Sequence, residues 1–282
     1  MAMKAQLFKE IVIFVREYKG LSFYCLEELC GLYPSVNKDT LASILSYEYQ
    51  TRLRFVHFKN QQARIRYWEA YTKGLKSKNK TGIIINIAKK EGISPCLIAK
   101  LIMLEYLKRS NKVGTEENMV QTVTKYLRNT SLIPDYKLAY EVFLCTVFDN
   151  LYSPVADVIR SSTGQQYEIQ LHNEVTKLGL AFRDEEYLRK CGYDKTPDIK
   201  LEVSIAIDGF IVNWIESKAL FGSEKVHKDY TESQYLSYWN RFGPGLVIYW
   251  FGYIETIIDP NNKNFMVCDH LPTDIIQIRN DK

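Results

Sequence analysis

Two carboxylates and a lysine stand at a spacing that could hydrolyse a phosphodiester. Asp198 follows Pro197 at the head of the run IKLEVSIAI, and Glu216-Ser217-Lys218 closes the run FIVNWIESK. Asp208-Gly209 separates the two runs, and Asp and Gly tolerate the positive φ angles of a tight turn. The pattern predicts a hairpin that folds Glu216 and Lys218 back beside Asp198. Two carboxylates can share a divalent cation, and an ammonium two residues on can act on phosphate or water. The same residues also fit the polar face of a solvated hairpin, on which Asp198, Lys200, Glu202, Glu216 and Lys218 alternate with apolar neighbours. Register separates the two readings. A strict two-residue turn pairs Ile207 with Phe210 and sends Asp198 to the face opposite Glu216 and Lys218. One extra residue, in a three-residue loop or a bulge, puts Asp198, Lys200, Glu216 and Lys218 on one face. A working site requires that irregularity.

The flanking elements must hold this hairpin. Upstream, Gly164 to Gly179 reads as a helix with Tyr167, Leu171, Val175 and Leu178 at helical spacing, and Glu168 beside the stripe. Downstream, Gln234, Tyr238 and Arg241 fall at i, i+4 and i+7 of a segment from about Lys228 to Phe242. Gly243-Pro244-Gly245 ends that segment, and Leu246 to Ile254 reads as a buried strand. The resulting order is helix, strand, hairpin, helix, strand.

The P-D…E-S-K spacing and this order resemble the PD-(D/E)xK nuclease superfamily, whose core runs αβββαβ. GYDKTPD (192–198), WIESKA (214–219) and SYWNRFGPGLVIYW (237–250) are similar to the codanin-interacting nuclease family, densely from about Ser153 to Tyr253 and thinly before Tyr140. The resemblance implies an α+β chain with an all-α N-terminal half, carrying helix-turn-helix-like units, ahead of an α/β restriction-endonuclease-like core. It implies a metal-dependent nuclease using Mg²⁺, with Mn²⁺ as a substitute. Asp198, Glu216 and the Ser217 carbonyl would then hold the metal, Lys218 would act on water or phosphate, and Glu168 would order outer waters. Gln234 and Tyr238, with Arg241, would hold the substrate strand or the lysine. It also implies a codanin-type scaffold as partner through the C-terminal half, where Tyr235, Trp239 and Tyr249-Trp250-Phe251 offer aromatic anchors. The competing reading is a non-catalytic adaptor whose nuclease-like core is a codanin-binding surface.

The N-terminal half reads as helical throughout. Ala5 to Tyr18 carries Leu7, Ile11, Phe14 and Val15 on one stripe. A helix ending near Leu32, the turn Tyr33-Pro-Ser-Val and a helix starting near Lys38 form a helix-turn-helix pattern, the second helix ending in Arg52 and Arg54. The basic run Lys73 to Lys80 follows. The pattern then recurs around Gly92-Ile-Ser, with Pro95 at the first helical position. From Met1 to Ser110 there are 19 Lys/Arg against 9 Asp/Glu, whereas the rest holds 18 against 24. A basic module beside an acidic one suits phosphate attraction and cation collection, so nucleic acid is the expected substrate, with Arg52 and Arg54 as contacts. The alternative is helical packing with no nucleic-acid role, since any antiparallel helix pair gives the same pattern. Two further helices between Gly114 and Arg160 read as a bridge, with Leu138, Val142, Cys145 and Phe148 as core. The expected segments are 1–110 (helical, nucleic-acid-binding), 111–152 (bridge) and 153–282 (nuclease).

Six scattered cysteines without a C-x-x-C pair argue against zinc and for reduced, buried thiols. There is no P-loop, dinucleotide fingerprint or nucleophile elbow. No signal segment or membrane-length apolar run is seen, so an intracellular protein, nuclear and cytoplasmic, is expected.

Overall fold

The computed structural model describes residues 2–54, 61–76, 81–110 and 115–277. After a two-residue strand, β1 (Ala2–Met3), come helices α1 (Ala5–Glu17), α2 (Ser22–Leu32), α3 (Lys38–Arg54), α4 (Gln61–Leu75), α5 (Ile83–Glu91), α6 (Pro95–Arg109), α7 (Glu116–Arg128) and α8 (Tyr136–Val147). Then follow α9 (Pro154–Lys177), β2 (Phe182–Asp184), α10 (Glu185–Lys190), β3 (Ile199–Ile207), β4 (Phe210–Lys218), α11 (Glu224–Tyr230), a π-helical turn at Thr231–Tyr235 and α12 (Leu236–Phe242). The chain ends in β5 (Gly245–Tyr249), β6 (Tyr253–Ile254), β7 (Phe265–Cys268) and β8 (Ile275–Gln277). The fold is α+β. Among the described residues no helix is long and apolar enough to cross a membrane.

The chain divides into a strand-bearing unit (Met1–Ile11, Val36–Ser43, Ser161–Lys282) and a helical unit (Val12–Ser35, Ile44–Arg160). These are not the three consecutive segments expected from the sequence, because short N-terminal pieces join the C-terminal sheet region. β1 pairs in parallel with β6. At the start of α3, the Thr40 hydroxyl donates to the Phe251 carbonyl (2.7 Å), and the Ser43 hydroxyl accepts the Phe221 amide (2.8 Å).

In the strand-bearing unit, β2, β3, β4, β5 and β7 lie side by side, and β8 also pairs with β3. β3 and β4 are antiparallel, whereas β4–β5 and β5–β7 are parallel. Side chains alternate between two apolar layers. Leu171 and Val175 of α9 pack with Ile199, Leu201, Ile215, Leu246 and Ile248. Tyr235 and Tyr238 pack with Trp214, Val247, Tyr249 and Phe265. α9 begins ten residues before the expected Gly164, and the helix expected from Lys228 is interrupted by the π-helical turn.

The helical unit is built around α6, on which Cys96, Ile98, Ala99, Leu101, Ile102, Met103 and Leu107 are all buried. The helices of both helix-turn-helix patterns form at the expected places, and Gly92 takes the left-handed φ (64°) that its turn needs. A DNA-reading helix presents exposed side chains from its N-terminal turns to a groove. Most of α6 is buried, with Lys108 and Arg109 exposed at its end, and Thr40 and Ser43 in the first turns of α3 are bonded to Phe251 and Phe221. The cysteines differ from expectation too: Cys25, Cys96 and Cys145 are buried, Cys30 and Cys268 are half-buried, and Cys191 is exposed.

Two buried carboxylates close this unit. Glu141 accepts the amides of Gly82 (2.7 Å) and Ile84 (3.0 Å) at the N-terminus of α5. Asp149 accepts the Ser94 hydroxyl and the amide of Cys96 (2.9 Å) at the start of α6, and the amides of Leu151 (2.9 Å) and Tyr152 (2.8 Å). Asp149→Ala leaves those donors unpaired in a buried place and should destabilise the protein by roughly 3–5 kcal/mol. Urea denaturation checks this, and a change under 1 kcal/mol would remove Asp149 from its structural role.

Candidate active site

The hairpin turn has the two residues expected, with φ of 48° at Asp208 and 77° at Gly209, and Ile207 pairs with Phe210. Ile205 still pairs with Val212, but Lys200 pairs with Trp214 and Ile199 with Ile215. Over that interval β3 advances five positions and β4 two, so β3 holds three extra residues. The irregularity is thus larger than the single residue that the site required, and it lies on β3. Its odd count turns the face over, as the site needs. Continued by one position, the observed register sets Asp198 directly opposite Glu216, with Lys218 on the same face.

Asp198 Oδ2 accepts the Ser217 amide at 2.7 Å, and the Asp198 amide points to Glu216 Oε2 at 3.3 Å. Lys218 Nζ meets Glu216 Oε1 at 2.5 Å and lies 4.6 Å from the Tyr230 ring centroid. Glu216 is 3 % exposed. Burial, and then the charge of Glu216, push the Asp198 carboxyl well above its ordinary range. Burial also raises Glu216, partly offset by Lys218. For Lys218, burial favours the neutral amine, but the charge and hydrogen bond of Glu216 together with the charge of Asp198 outweigh it, and the ammonium is held.

Glu168, from α9, stands close enough for its charge to act on Asp198 and to feel Lys218. Burial and the neighbouring Glu185 raise its pKa. Its helix is anchored by an indirect chain, in which the Trp250 indole donates to the Ser217 hydroxyl (2.8 Å) and stacks on Tyr167 (centroids 5.1 Å apart). Tyr238 is buried, its ring edge-on to Trp214 at 5.2 Å. Burial, then Glu216, Asp198 and Glu185, keep its hydroxyl protonated.

The other residues singled out stand differently. Gln234 lies in the π-helical turn, and its buried Oε1 has no hydrogen-bond partner among the described residues. Arg241 donates to Asp194 (2.6 Å) and to the Lys195 carbonyl (3.0 Å), so it tethers the loop leading into Asp198. Arg52, in the helical unit, lies over the Tyr49 ring (4.3 Å) and donates to the Gly92 carbonyl (2.9 Å). With Arg16, Lys19, Lys89 and Lys90 it lines a cavity of about 710 Å³ that also includes Glu17 and Glu91. The side chain of Arg54 and residues 77–80 of the basic run lie outside the described residues.

Sequence reading missed Glu185. It accepts the hydroxyl of Thr196 (3.2 Å), pairs with Arg189 (2.6 Å), and its charge acts on Glu168, Glu216 and Tyr238. The available signal was Thr196, two residues before Asp198 and in need of an acceptor once buried. Among the described residues no group of three or more His, Cys, Asp or Glu gathers as a metal-ligand set. The close protein donors are the two carboxylates, Asp198 and Glu216. Paired hard oxygen donors, Glu216 buried and Asp198 half-buried, suit a divalent cation that keeps most of its water, because Mg²⁺ needs only one or two carboxylates.

Residues 134–271 match the family described as "Protein of unknown function TPD sequence-motif", and Thr196-Pro197-Asp198 spells that motif here. The chain is similar to "CDAN1-interacting nuclease 1" of Xenopus laevis, 36 % identical over 98 % of this chain and 90 % of that protein. It is 39 % identical to the protein of the same name from Danio rerio over 92 % of this chain and 89 % of that one. For the Homo sapiens protein the identity is 36 % over 90 % of each. No solved structure matches. The similarity therefore reaches well beyond the C-terminal half, and the chain belongs to the CDAN1-interacting nuclease 1 family.

Proposed function

We propose that this chain is a metal-dependent nuclease of PD-(D/E)xK type that acts on nucleic acid and works with a codanin-type scaffold protein. The observation that carries the reading is the placing of Asp198 opposite Glu216, with Lys218 beside them, by the three extra residues of β3. The names of the relatives support the nuclease activity and the partner.

Asp198 and Glu216, with the Ser217 carbonyl and Glu168 through water, are the residues that would hold Mg²⁺ or Mn²⁺. The bound cation supplies charge neutralisation at the phosphate and a water of lowered pKa. Lys218, kept protonated, offers an ammonium to the phosphate oxygens. Tyr238 keeps a hydroxyl beside the carboxylates as a hydrogen-bond donor. Glu185 and Arg241 fix the loop that carries Asp198. Lys19, Arg52, Lys89 and Lys90 give the helical unit a basic cavity suited to phosphates of the substrate backbone.

Asp198→Asn and Glu216→Gln should each lower cleavage by at least about a hundredfold, since each removes a ligand charge at constant volume. Both should also shrink the gain in thermal stability that Mg²⁺ or Mn²⁺ gives the wild type. Lys218→Met should lose cleavage while keeping that metal response. Unchanged cleavage and metal response in all three would end the site assignment. Metal binding by a wild type that cuts nothing on a broad panel of single-stranded, duplex and branched substrates would favour the adaptor reading.

The raised carboxyl pKa values fix the sign of a pH effect. A group whose folded pKa lies above its unfolded value, about 4 for these residues, contributes stability fully present below the unfolded value. That stability is lost as pH rises through the folded value. Without metal, Asp198→Asn should therefore melt higher than the wild type near pH 7, and the difference should shrink toward pH 4. Equal melting temperatures across that range would contradict the burial of the charge.

Lys89→Ala with Lys90→Ala should reduce the slope of log affinity against log salt by roughly 1–2 for a nucleic acid of defined length. An unchanged slope removes the cavity from substrate binding.

A further inference from the structure

α8 is apolar nearly all round. Leu138, Val142 and Cys145 face the core of the helical unit, and Glu141 is buried as the cap of α5. The opposite side carries Tyr136 (76 % exposed), Tyr140 (50 %), Phe143 (48 %) and Val147 (51 %). Their spacing of four, three and four residues sets them in one line along the helix. Lys137 is the one exposed charge among its described residues. A helix apolar on every side is normally buried on every side, and contiguous aromatic surface with little charge is the composition of an interface centre. Of the aromatic anchors expected in the strand-bearing unit, Trp239 is 39 % exposed, a single ring and not a line. Tyr235 and Tyr249 are fully buried and linked through their hydroxyls (3.2 Å), and Trp250 stacks on Tyr167.

We propose that the Tyr136/Tyr140/Phe143/Val147 face of α8 is the docking site for an apolar helix face of the codanin-type partner. The inference rests on the partner reading above. Three considerations select that occupant. At roughly 200 Å² per aromatic side chain, the three rings expose roughly 350 Å². A second copy offering the same line falls well below the roughly 800 Å² per partner of a stable interface, whereas a larger protein adds contacts around this anchor. A membrane surface calls for Lys and Arg along the rim of the apolar face, and α8 has only Lys137. The relatives are named for interaction with one protein, CDAN1, and a straight line of ridges at i, i+4, i+7 and i+11 is what a partner helix reads.

The test uses the full chain and recombinant codanin in titration calorimetry. Tyr140→Glu and Phe143→Glu should each weaken binding at least about tenfold, with melting temperature and nuclease activity unchanged. Ile13→Glu, equally exposed at 54 % on α1, should bind as the wild type does. Wild-type affinity in both stripe variants overturns the assignment, and so does an equal loss in Ile13→Glu. A wild type that shows no binding to codanin overturns the partner reading instead. Concentration-dependent dimerisation or sedimentation with anionic vesicles, abolished by the same variants, would assign the face to a second copy or to a lipid surface and overturn the inference in its favour.

Discussion

The strand-bearing unit is arranged around one costly juxtaposition, the Asp198 and Glu216 carboxylates brought face to face in a buried part of a sheet. Like charges in low dielectric repel, and burial penalises each of them separately. The arrangement offsets this with the Ser217 amide on Asp198 and the Lys218 ammonium on Glu216. Neither partner removes the cost, since both carboxyl groups remain raised above their ordinary range. Such a pair has no structural benefit that an apolar pair would lack. Its persistence makes sense when the negative charge itself is what the site supplies.

Holding that pair requires the approach to Asp198 to be rigid. The loop from Asp194 to Asp198 is fixed by three elements: Arg241 of α12 binds Asp194 and the Lys195 carbonyl, Glu185 of α10 takes the Thr196 hydroxyl, and β4 takes Asp198 itself. Pro197 removes conformational freedom between the last two anchors. Arg241, one turn after Tyr238 on its helix, thus ties down the loop that leads into Asp198.

Local pattern made the elements legible. The Leu171/Val175 stripe, the Asp208-Gly209 turn and the Gly243-Pro244-Gly245 stop are all signals contained in a few residues, and each produced its element. The register was not legible, for a physical reason. The three extra residues fall where the outer edge of β3 passes from β2, paired at Ile199 to Leu201, to β8, paired at Ile205 to Ile207. β8 lies some seventy residues further along the chain, so the place where β3 changes partners cannot be read from β3 itself. The parity argument demanded an irregularity but could fix neither its size nor its strand. Glu185 was hidden in the same way, because its link to Thr196 depends on where α10 packs. The helix-turn-helix pattern is a different case. Helix, turn and helix are all present, but the pattern carries no information on which face is buried, and most of α6 is buried.

The aromatic layer over the site face completes the constraint. Trp214 precedes Glu216 on the same face of β4, is fully buried, and donates its indole N–H to the Gly243 carbonyl (2.8 Å). Its ring occupies the place where a Cβ at position 245 would sit, so β5 can run beside β4 only with glycine there. Gly243, at φ 79°, lets the chain leave α12 and turn into β5. Tyr235 and Tyr238 then close on Trp214 from the helices (6.3 and 5.2 Å between centroids). Burying such rings stabilises the sheet by several kcal/mol in total, and the same packing removes water from Glu216. The interactions that hold the sheet together are therefore those that raise the cost of its carboxylates. A stable aromatic core and a charged site are one arrangement here, and a change that relaxes the packing around Trp214 also relaxes the electrostatics of Glu216.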